Sequence, residues 1–183
     1  MVGGGEVLGK VIVGVMSDTH DNQDLVERAL RVFGERGVDS IIHLGDIVAP
    51  FTLRRIAGWA RERGLQLHAI YGNNCGEKLG LLKAAESYGY TIREPPFTLE
   101  LGDRRVLLVH GFGSKENTLE IVNALAVSNR WDAVLYGHTH EPDLRRVNGT
   151  LVLNPGDGGG SLERPSIAIL DLDRLEAEIV WLA

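Results

Sequence analysis

The stretch VIVGVMSDTH, residues 11–20, carries the reading on which the fold turns. Residues 11–16 are Val, Ile, Met and one glycine, with no charge among them. A short unbroken run of this kind reads as a strand buried on both faces, as in parallel sheets covered by helices. The polar cluster Asp18-Thr19-His20 follows at its carboxyl end. Residues 21–36 then place Leu25, Ala29, Val32 and Phe33 on one face at helical spacing.

The same unit recurs outward from there. Apolar runs at 40–44, 67–71, 106–109, 133–136 and 150–153 are short and rich in Val, Ile and Leu. Helical periodicity fills residues 51–63 (Leu53, Ile56, Ala57, Ala60), 77–88 (Leu81, Leu82, Ala85) and 115–127 (Leu119, Val122, Leu125, Ala126). This alternation predicts an α/β architecture. Antiparallel pieces are mixed in. Leu101-Gly102-Asp103-Arg104 is a turn between two apolar runs, and Asn148-Gly149 is a hairpin signal between 144–147 and 150–153. Residues 166–171 and 176–182 read as one more strand pair. The expected fold is therefore α/β, a two-sheet β-sandwich flanked by helices, in one domain over residues 1–183. Gly156-Asp157-Gly158-Gly159-Gly160-Ser161 reads as the most flexible interior segment. Trp59, Trp131 and Trp181 are expected in the core.

Composition narrows the class. The chain has 183 residues, of which 44% are hydrophobic and 24% charged, as in ordinary soluble domains. A disordered chain, a coiled coil and a disulfide-stapled miniprotein are excluded. Asp and Glu number 25 against 19 Lys and Arg, a net charge of -6. That balance disfavours a grip on nucleic-acid backbone and suits a protein that gathers cations. Cys75 is the one cysteine, so no internal disulfide can form. Met1-Val2-Gly3-Gly4-Gly5-Glu6 lacks the basic and apolar regions of a signal peptide, and no apolar run is long enough to span a membrane. The expected location is the cytoplasm, with no membrane partner.

The carboxyl ends of the runs hold the informative pattern. The runs lead into Asp18-Thr19-His20, Gly45-Asp46, Gly72-Asn73-Asn74, His110-Gly111, Gly137-His138-Thr139-His140 and Asn154-Pro155-Gly156. Ligands of α/β sheets bind beyond the carboxyl ends of strands. Strands lying side by side would bring these clusters to one edge. Two carboxylates, four imidazoles and carboxamide oxygens are too many donors for one metal ion and suit two. Each piece also has a plainer reading. Asp18 or Asp21 could cap the following helix, Asp46 and residues 72–74 could be turn residues, and His110 could be a satisfied half-buried histidine. His43 and His68 lie inside strands and read as structural. Cys75 reads as a small buried residue rather than a nucleophile, since no base is specified beside it.

The ordered series Asp-x-His, Gly-Asp, Gly-Asn, His-Gly and Gly-His-x-His resembles the calcineurin-like metallophosphoesterases, from residue 11 to residue 182. The small size and Asn154-Pro155-Gly156 resemble the small branch of archaeal and bacterial phosphodiesterases, and the retromer subunit built on the same scaffold. The resemblance implies a four-layer sandwich and a dinuclear centre. Asp18, His20, Asp46 and His140 would hold the first ion; Asp46, Asn73, His110 and His138 would hold the second, with Asp46 bridging. It implies hydrolysis of a P–O bond in a phosphodiester or phosphomonoester small molecule, by in-line attack of hydroxide shared by two divalent ions. Mn²⁺ is the first expectation, with Ni²⁺, Co²⁺, Fe²⁺, Zn²⁺ and Mg²⁺ as alternatives.

Three positions depart from the family. Asn74-Cys75 stands where many members have His followed by an acid, and that His is thought to assist the leaving group. Asn74 would take its place as a catalytic residue that donates a hydrogen bond but delivers no proton. Phe112 stands where many small members have a second His. Asp157 follows Asn154-Pro155-Gly156 where Ser is frequent. A catalytically weak protein-binding scaffold on the same fold is the second reading. A nuclease is disfavoured by the acidic charge, and homo-oligomerisation is left open.

Overall fold

A computed structural model describes residues 11–182. The expectations for residues 1–6 lie outside the described residues. The elements in chain order are β1 (Ile12–Met16), α1 (Gln23–Arg36), β2 (Ser40–His43), α2 (Pro50–Glu62), β3 (Gln66–Ile70), α3 (Lys78–Glu86), β4 (Thr91–Arg93), β5 (Phe97–Leu101), β6 (Arg104–Val109), α4 (Lys115–Val127), β7 (Ala133–Tyr136), β8 (Asp143–Val147), β9 (Thr150–Asn154), β10 (Ser166–Asp171) and β11 (Glu176–Trp181). They form a six-stranded sheet in the order β11-β10-β1-β2-β3-β4 and a five-stranded sheet in the order β5-β6-β7-β9-β8. β1 to β4 run parallel, as do β6, β7 and β9; the antiparallel pairs β1–β10, β10–β11, β5–β6 and β8–β9 complete the sheets. Among the described residues no helix is long and apolar enough to cross a membrane.

The continuous apolar runs are explained by burial on both faces. In β1, Val13 and Val15 face the other sheet, while Met16 faces the helices. In β7, Ala133 and Leu135 face between the sheets, and Val134 and Tyr136 face α4. Three apolar layers result: α1, α2 and α3 against the first sheet, sheet against sheet, and α4 against the second sheet. This is the expected four-layer sandwich.

Local chemistry sets the helix ends. The Asn22 side chain accepts from the Leu25 N–H and caps α1, and Gly37 closes it in the left-handed region at φ 61°. Asp21 does not cap α1. Its carboxylate accepts from the Ala49 N–H at 3.1 Å and the Thr52 hydroxyl at 2.5 Å, and so supplies the start of α2, where Ala49 itself has no capping side chain. Pro50 occupies the first turn of α2, where its missing N–H costs nothing.

One element carries no sequence signal, and several expectations are corrected. Residues 91–93 form a strand with only Ile92 buried, too short for any sequence period to reveal. α4 buries Thr118, Val122 and Ala126, a narrower stripe than expected, and Leu119 is exposed. Trp181 lies on the surface, 43% exposed, and Trp59 and Trp131 are only partly buried at cluster margins. The segment 156–161 is not slack at its start: residues 156–159 are buried against the polar rim. A Cβ on Gly158 would lie 2.5 Å from the Ser17 carbonyl oxygen. Glycine is there because the backbones touch.

Gly14 is a second close approach. A Cβ added to it would lie 2.7 Å from the ring of Phe33, which α1 buries against β1. Gly14→Ala is expected to destabilise the protein by about 1–3 kcal/mol through overpacking, read as a lower denaturation midpoint at unchanged m-value. An unchanged midpoint would show that Phe33 is free to shift.

Candidate active site

The carboxyl ends of β1, β2 and β3 meet those of β6, β7 and β9 at one rim. Three contacts tie the loops together there. The Asp18 N–H donates to the Gly45 carbonyl at 3.0 Å, the His20 N–H to the Asp46 carbonyl at 3.1 Å, and the His138 N–H to Asp18 Oδ2 at 3.0 Å. All of the expected site residues are brought together: Asp18, His20, Asp46, Asn73, Asn74, His110, His138 and His140. Asp18, His20, Asp46, His138 and His140 all have positive φ, between 40° and 73°. Non-glycine residues occupy this region at a cost of roughly 1–3 kcal/mol each, and such strain collects at functional sites.

Two groups of donors overlap. Asp18, His20 and His140 offer atoms within 4.8 Å of one another, and so do Asp18, Asp46 and His110. His20 Nε2 also lies 3.6 Å from Asp46 Oδ2. Asn73 joins the second group: its Oδ1 is 3.1 Å from His110 Nε2 and 2.8 Å from His138 Nδ1. The rings of His20 and His140 stack at 5.2 Å, and those of His110 and His138 meet edge-on at 5.3 Å.

The protons of this site point away from its centre. His110 Nδ1 lies 2.7 Å from the Leu44 carbonyl oxygen, which only an N–H can satisfy. That leaves the Nε2 lone pair facing Asn73 Oδ1, Asp46 Oδ2 at 3.4 Å and Asp18 Oδ1 at 3.9 Å. His138 Nε2 donates to the Gly113 carbonyl at 2.6 Å, which turns the Nδ1 lone pair toward the same Asn73 oxygen. Asp18 Oδ1 and His20 Nε2 are buried without a hydrogen-bond partner. Buried lone pairs aimed at one another are costly unless a cation lies among them. Imidazole, carboxylate and carboxamide donors fit divalent metal ions, so the residues present fit the group that the sequence implies.

Electrostatics follow from burial and partners. Burial raises the Asp18 carboxyl, against the pull of His110, the Ser17 hydroxyl and His140. Burial would raise Asp46 too, but His110 and two hydrogen bonds from Asn74 outweigh it and hold Asp46 well below the carboxylate range. Those bonds run from the Asn74 backbone N–H to Oδ1 at 2.8 Å and from its carboxamide to Oδ2 at 2.7 Å. Burial lowers His110 and His140, yet the neighbouring carboxylates leave both raised.

Some residues of the site escaped the sequence. Ser17 donates to Asp18 Oδ2 at 2.5 Å. Asp157 is fully buried with its Oδ2 3.0 Å from His140 Nδ1. Its one signal was the departure from Ser after Asn154-Pro155-Gly156. His43 is buried as expected, and it stands directly behind the centre. Its Nδ1 accepts from the Gly45 N–H at 3.3 Å, so the ring proton sits on Nε2 and is donated to Thr19 Oγ1 at 3.0 Å. One neutral ring thus joins the loop of Asp18 and His20 to the loop of Asp46.

Burial, above all, pushes His43 down to about 3. An unfolded imidazole takes its proton near pH 6.5. Between those values the unfolded state binds more protons, so this group makes stability fall as pH is lowered. In metal-stripped protein, His43→Asn is expected to cost about 1–3 kcal/mol at pH 7 by leaving Thr19 unpaired. The cost should shrink as pH falls from 7 toward 3, in denaturant melts across that range. A cost that stays constant with pH would show that His43 is not held neutral.

Residues 11–175 match the calcineurin-like phosphoesterase superfamily domain. The chain is 32% identical over 166 residues to a phosphodiesterase of Methanocaldococcus jannaschii, covering 90% of this chain and 95% of that one. It is 26% identical over 151 residues to the phosphodiesterase YfcE of Escherichia coli, covering 76% and 75%. A solved archaeal phosphodiesterase superposes with a TM-score of 0.81 at 31% identity, over 94% of this chain and all of that one. The vacuolar sorting protein 29 of Cryptosporidium parvum shares the fold, with a TM-score of 0.68 at 14% identity over 94% and 96%. With the match spanning nearly all the described residues, the chain belongs to the calcineurin-like phosphoesterase superfamily and is a metal-dependent phosphoesterase.

Proposed function

We propose that the protein hydrolyses small phosphodiesters at a centre of two divalent ions. Asp18, His20, Asp46 and His140 would hold one ion; Asp46, Asn73, His110 and His138 would hold the other. The observation that carries this reading is the convergence of imidazole, carboxylate and carboxamide donors around the buried, unpartnered Asp18 Oδ1 and His20 Nε2. The full-length likeness to archaeal phosphodiesterases supports the diester class. Mixed imidazole, carboxylate and carboxamide donors suit Mn²⁺ among other ions.

Ions bound there would supply positive charge for an anionic phosphoester, polarise its oxygens and lower the pKa of water toward neutrality. The protein supplies geometry. Asp18 is held by Ser17 and the His138 N–H, and Asp46 by Asn74, so neither carboxylate has to reorganise when charge develops. Leu44 and Gly113 fix the rings of His110 and His138 through their outer nitrogens.

Asn74 sets the leaving-group step. One N–H of its carboxamide is taken by Asp46 Oδ2. The other is offered to the leaving oxygen, but a carboxamide delivers no proton. The departing group must therefore bear its own negative charge. The expected result is a steep fall in rate as the leaving-group pKa rises, with aryl phosphodiesters far better substrates than alkyl ones. Asn74→His should flatten that slope. A slope already flat in the wild type would overturn the role.

The activity itself is tested with bis-p-nitrophenyl phosphate and metal-stripped protein, restoring Mn²⁺, Ni²⁺, Co²⁺, Zn²⁺ or Mg²⁺ in turn. Turnover should require metal, and Asp46→Asn should lose more than the roughly 10–100-fold typical of an outer-sphere partner. A folded protein that binds metal but turns over no diester with any ion would make it a binding scaffold.

A further inference from the structure

Asp157 is fully buried, yet it belongs to no group of donors converging on the centre. Its Oδ2 accepts from the Leu162 N–H at 2.8 Å and the Glu163 N–H at 3.0 Å, and its Oδ1 from the Gly159 N–H at 3.1 Å. Oδ2 also lies 3.0 Å from His140 Nδ1, an ion-pair contact off the hydrogen-bond axis, so that this buried nitrogen has Asp157 as its near charge and no hydrogen-bond partner. On the other side of that ring, His140 Nε2 faces Asp18 Oδ1 at 3.6 Å. The ring is therefore sandwiched end to end between a carboxylate outside the centre and a carboxylate within it.

The loop that carries Asp157 is locked to the loop that carries Asp18. The Gly158 N–H donates to the Ser17 carbonyl and the Gly159 N–H to the Asp18 carbonyl, each at 2.9 Å. The Asn22 carboxamide donates to the Gly159 carbonyl at 2.9 Å. No side chain fits at residue 159 either, since a Cβ would lie 2.7 Å from the Thr19 carbonyl oxygen. Asp157 thus sits on a backbone with little room to move, and its position is dictated by the same loop that it serves.

We infer that Asp157 is a positioning residue for metal binding: it holds the proton of His140 on Nδ1 and so keeps the Nε2 lone pair aimed at the ion beside Asp18. A neutral imidazole has one proton, and whichever nitrogen carries it cannot ligate. The Asp157 carboxylate already takes three backbone N–H groups and turns only oxygen lone pairs toward His140, which favours the proton on the facing nitrogen. Carboxylate–histidine–metal relays of this kind raise ligand basicity and fix ring orientation, and losing the outer carboxylate costs roughly 10–100-fold in metal affinity. The inference rests on His140 being a ligand, as the proposed function has it.

The test is calorimetric titration of Mn²⁺ into metal-stripped wild type, Asp157→Asn and His140→Ala, with nitrogen NMR of the His140 ring at alkaline pH. In the metal-free wild type the ring should be the Nδ1–H tautomer. Asp157→Asn should shift it toward Nε2–H and weaken one of the two binding steps by roughly 10–100-fold, leaving the other step within a factor of about two. An Nε2–H ring in the wild type overturns the proposal, even if the variant does not fold. So does a weaker binding step with no change of tautomer, since that would be a loosened loop alone. If His140→Ala weakens binding and Asp157→Asn does not, the positioning role fails and the ligand assignment stands. If His140→Ala binds as tightly as the wild type, the ligand assignment fails with it.

Discussion

The buried charge of Asp18 is the constraint on which the site depends. Its carboxylate is shielded from water, and one of its oxygens has no partner within the protein. Removing such a group from water costs several kcal/mol unless a compensating charge is supplied. The fold supplies only part of that: one hydroxyl and one backbone N–H on Oδ2, with imidazoles 3.6 Å and 3.9 Å from Oδ1. The remainder is left for a cation. A site built this way is poorly satisfied alone and well satisfied when loaded, so affinity for metal is bought with native-state stability.

The scaffold tolerates that deficit because it is rigid around it. Parallel strands buried on both faces end at the rim, and each ends in a loop whose first residues are pinned across to another loop. Several ligand positions sit in the left-handed region, which unsupported L-residues avoid. The supports are concrete. His43 ties Thr19 to Gly45, Asn74 ties β3 to Asp46, and the His138 N–H ties the second sheet to Asp18. The His43 contacts are buried, while those of Asn74 and His138 are part-buried at the rim, and together they cross-link the loops that carry the donors.

The sequence was most legible where burial left a periodic or ordered trace. Strands β1, β2, β7 and β9 show as apolar runs because both of their faces are covered, and the site shows because its polar clusters all follow such runs. Asp18, His20, Asp46 and the histidines of the second sheet were readable for that reason. β4 was not, since three residues with one buried side chain carry no period. The stripe of α4 was over-read because Leu119 is apolar but points to solvent. The glycine-rich segment at 156–161 was misread for a deeper cause. Composition cannot distinguish a glycine that gives freedom from one that makes room, and here the contact lies about 140 residues away in the chain, at Ser17 and Asp18. Asp157 was hidden by the same misreading.

Two of the positions at which this chain leaves the pattern of the family it resembles, Asn74 and Asp157, lie at different sides of one centre. Asn74 reaches Asp46 from the loop after β3, and its carboxamide can orient and donate but cannot deliver a proton. Asp157 reaches His140 from the loop between β9 and β10 and places a carboxylate outside the donor set. In the proposed mechanism the first residue gives no acid assistance to departure, and the second would make His140 a more basic ligand. An enzyme altered in both ways leans on its ions and their fixed geometry more than on proton transfer. On that reading, the charge that the leaving group can carry is a main determinant of rate.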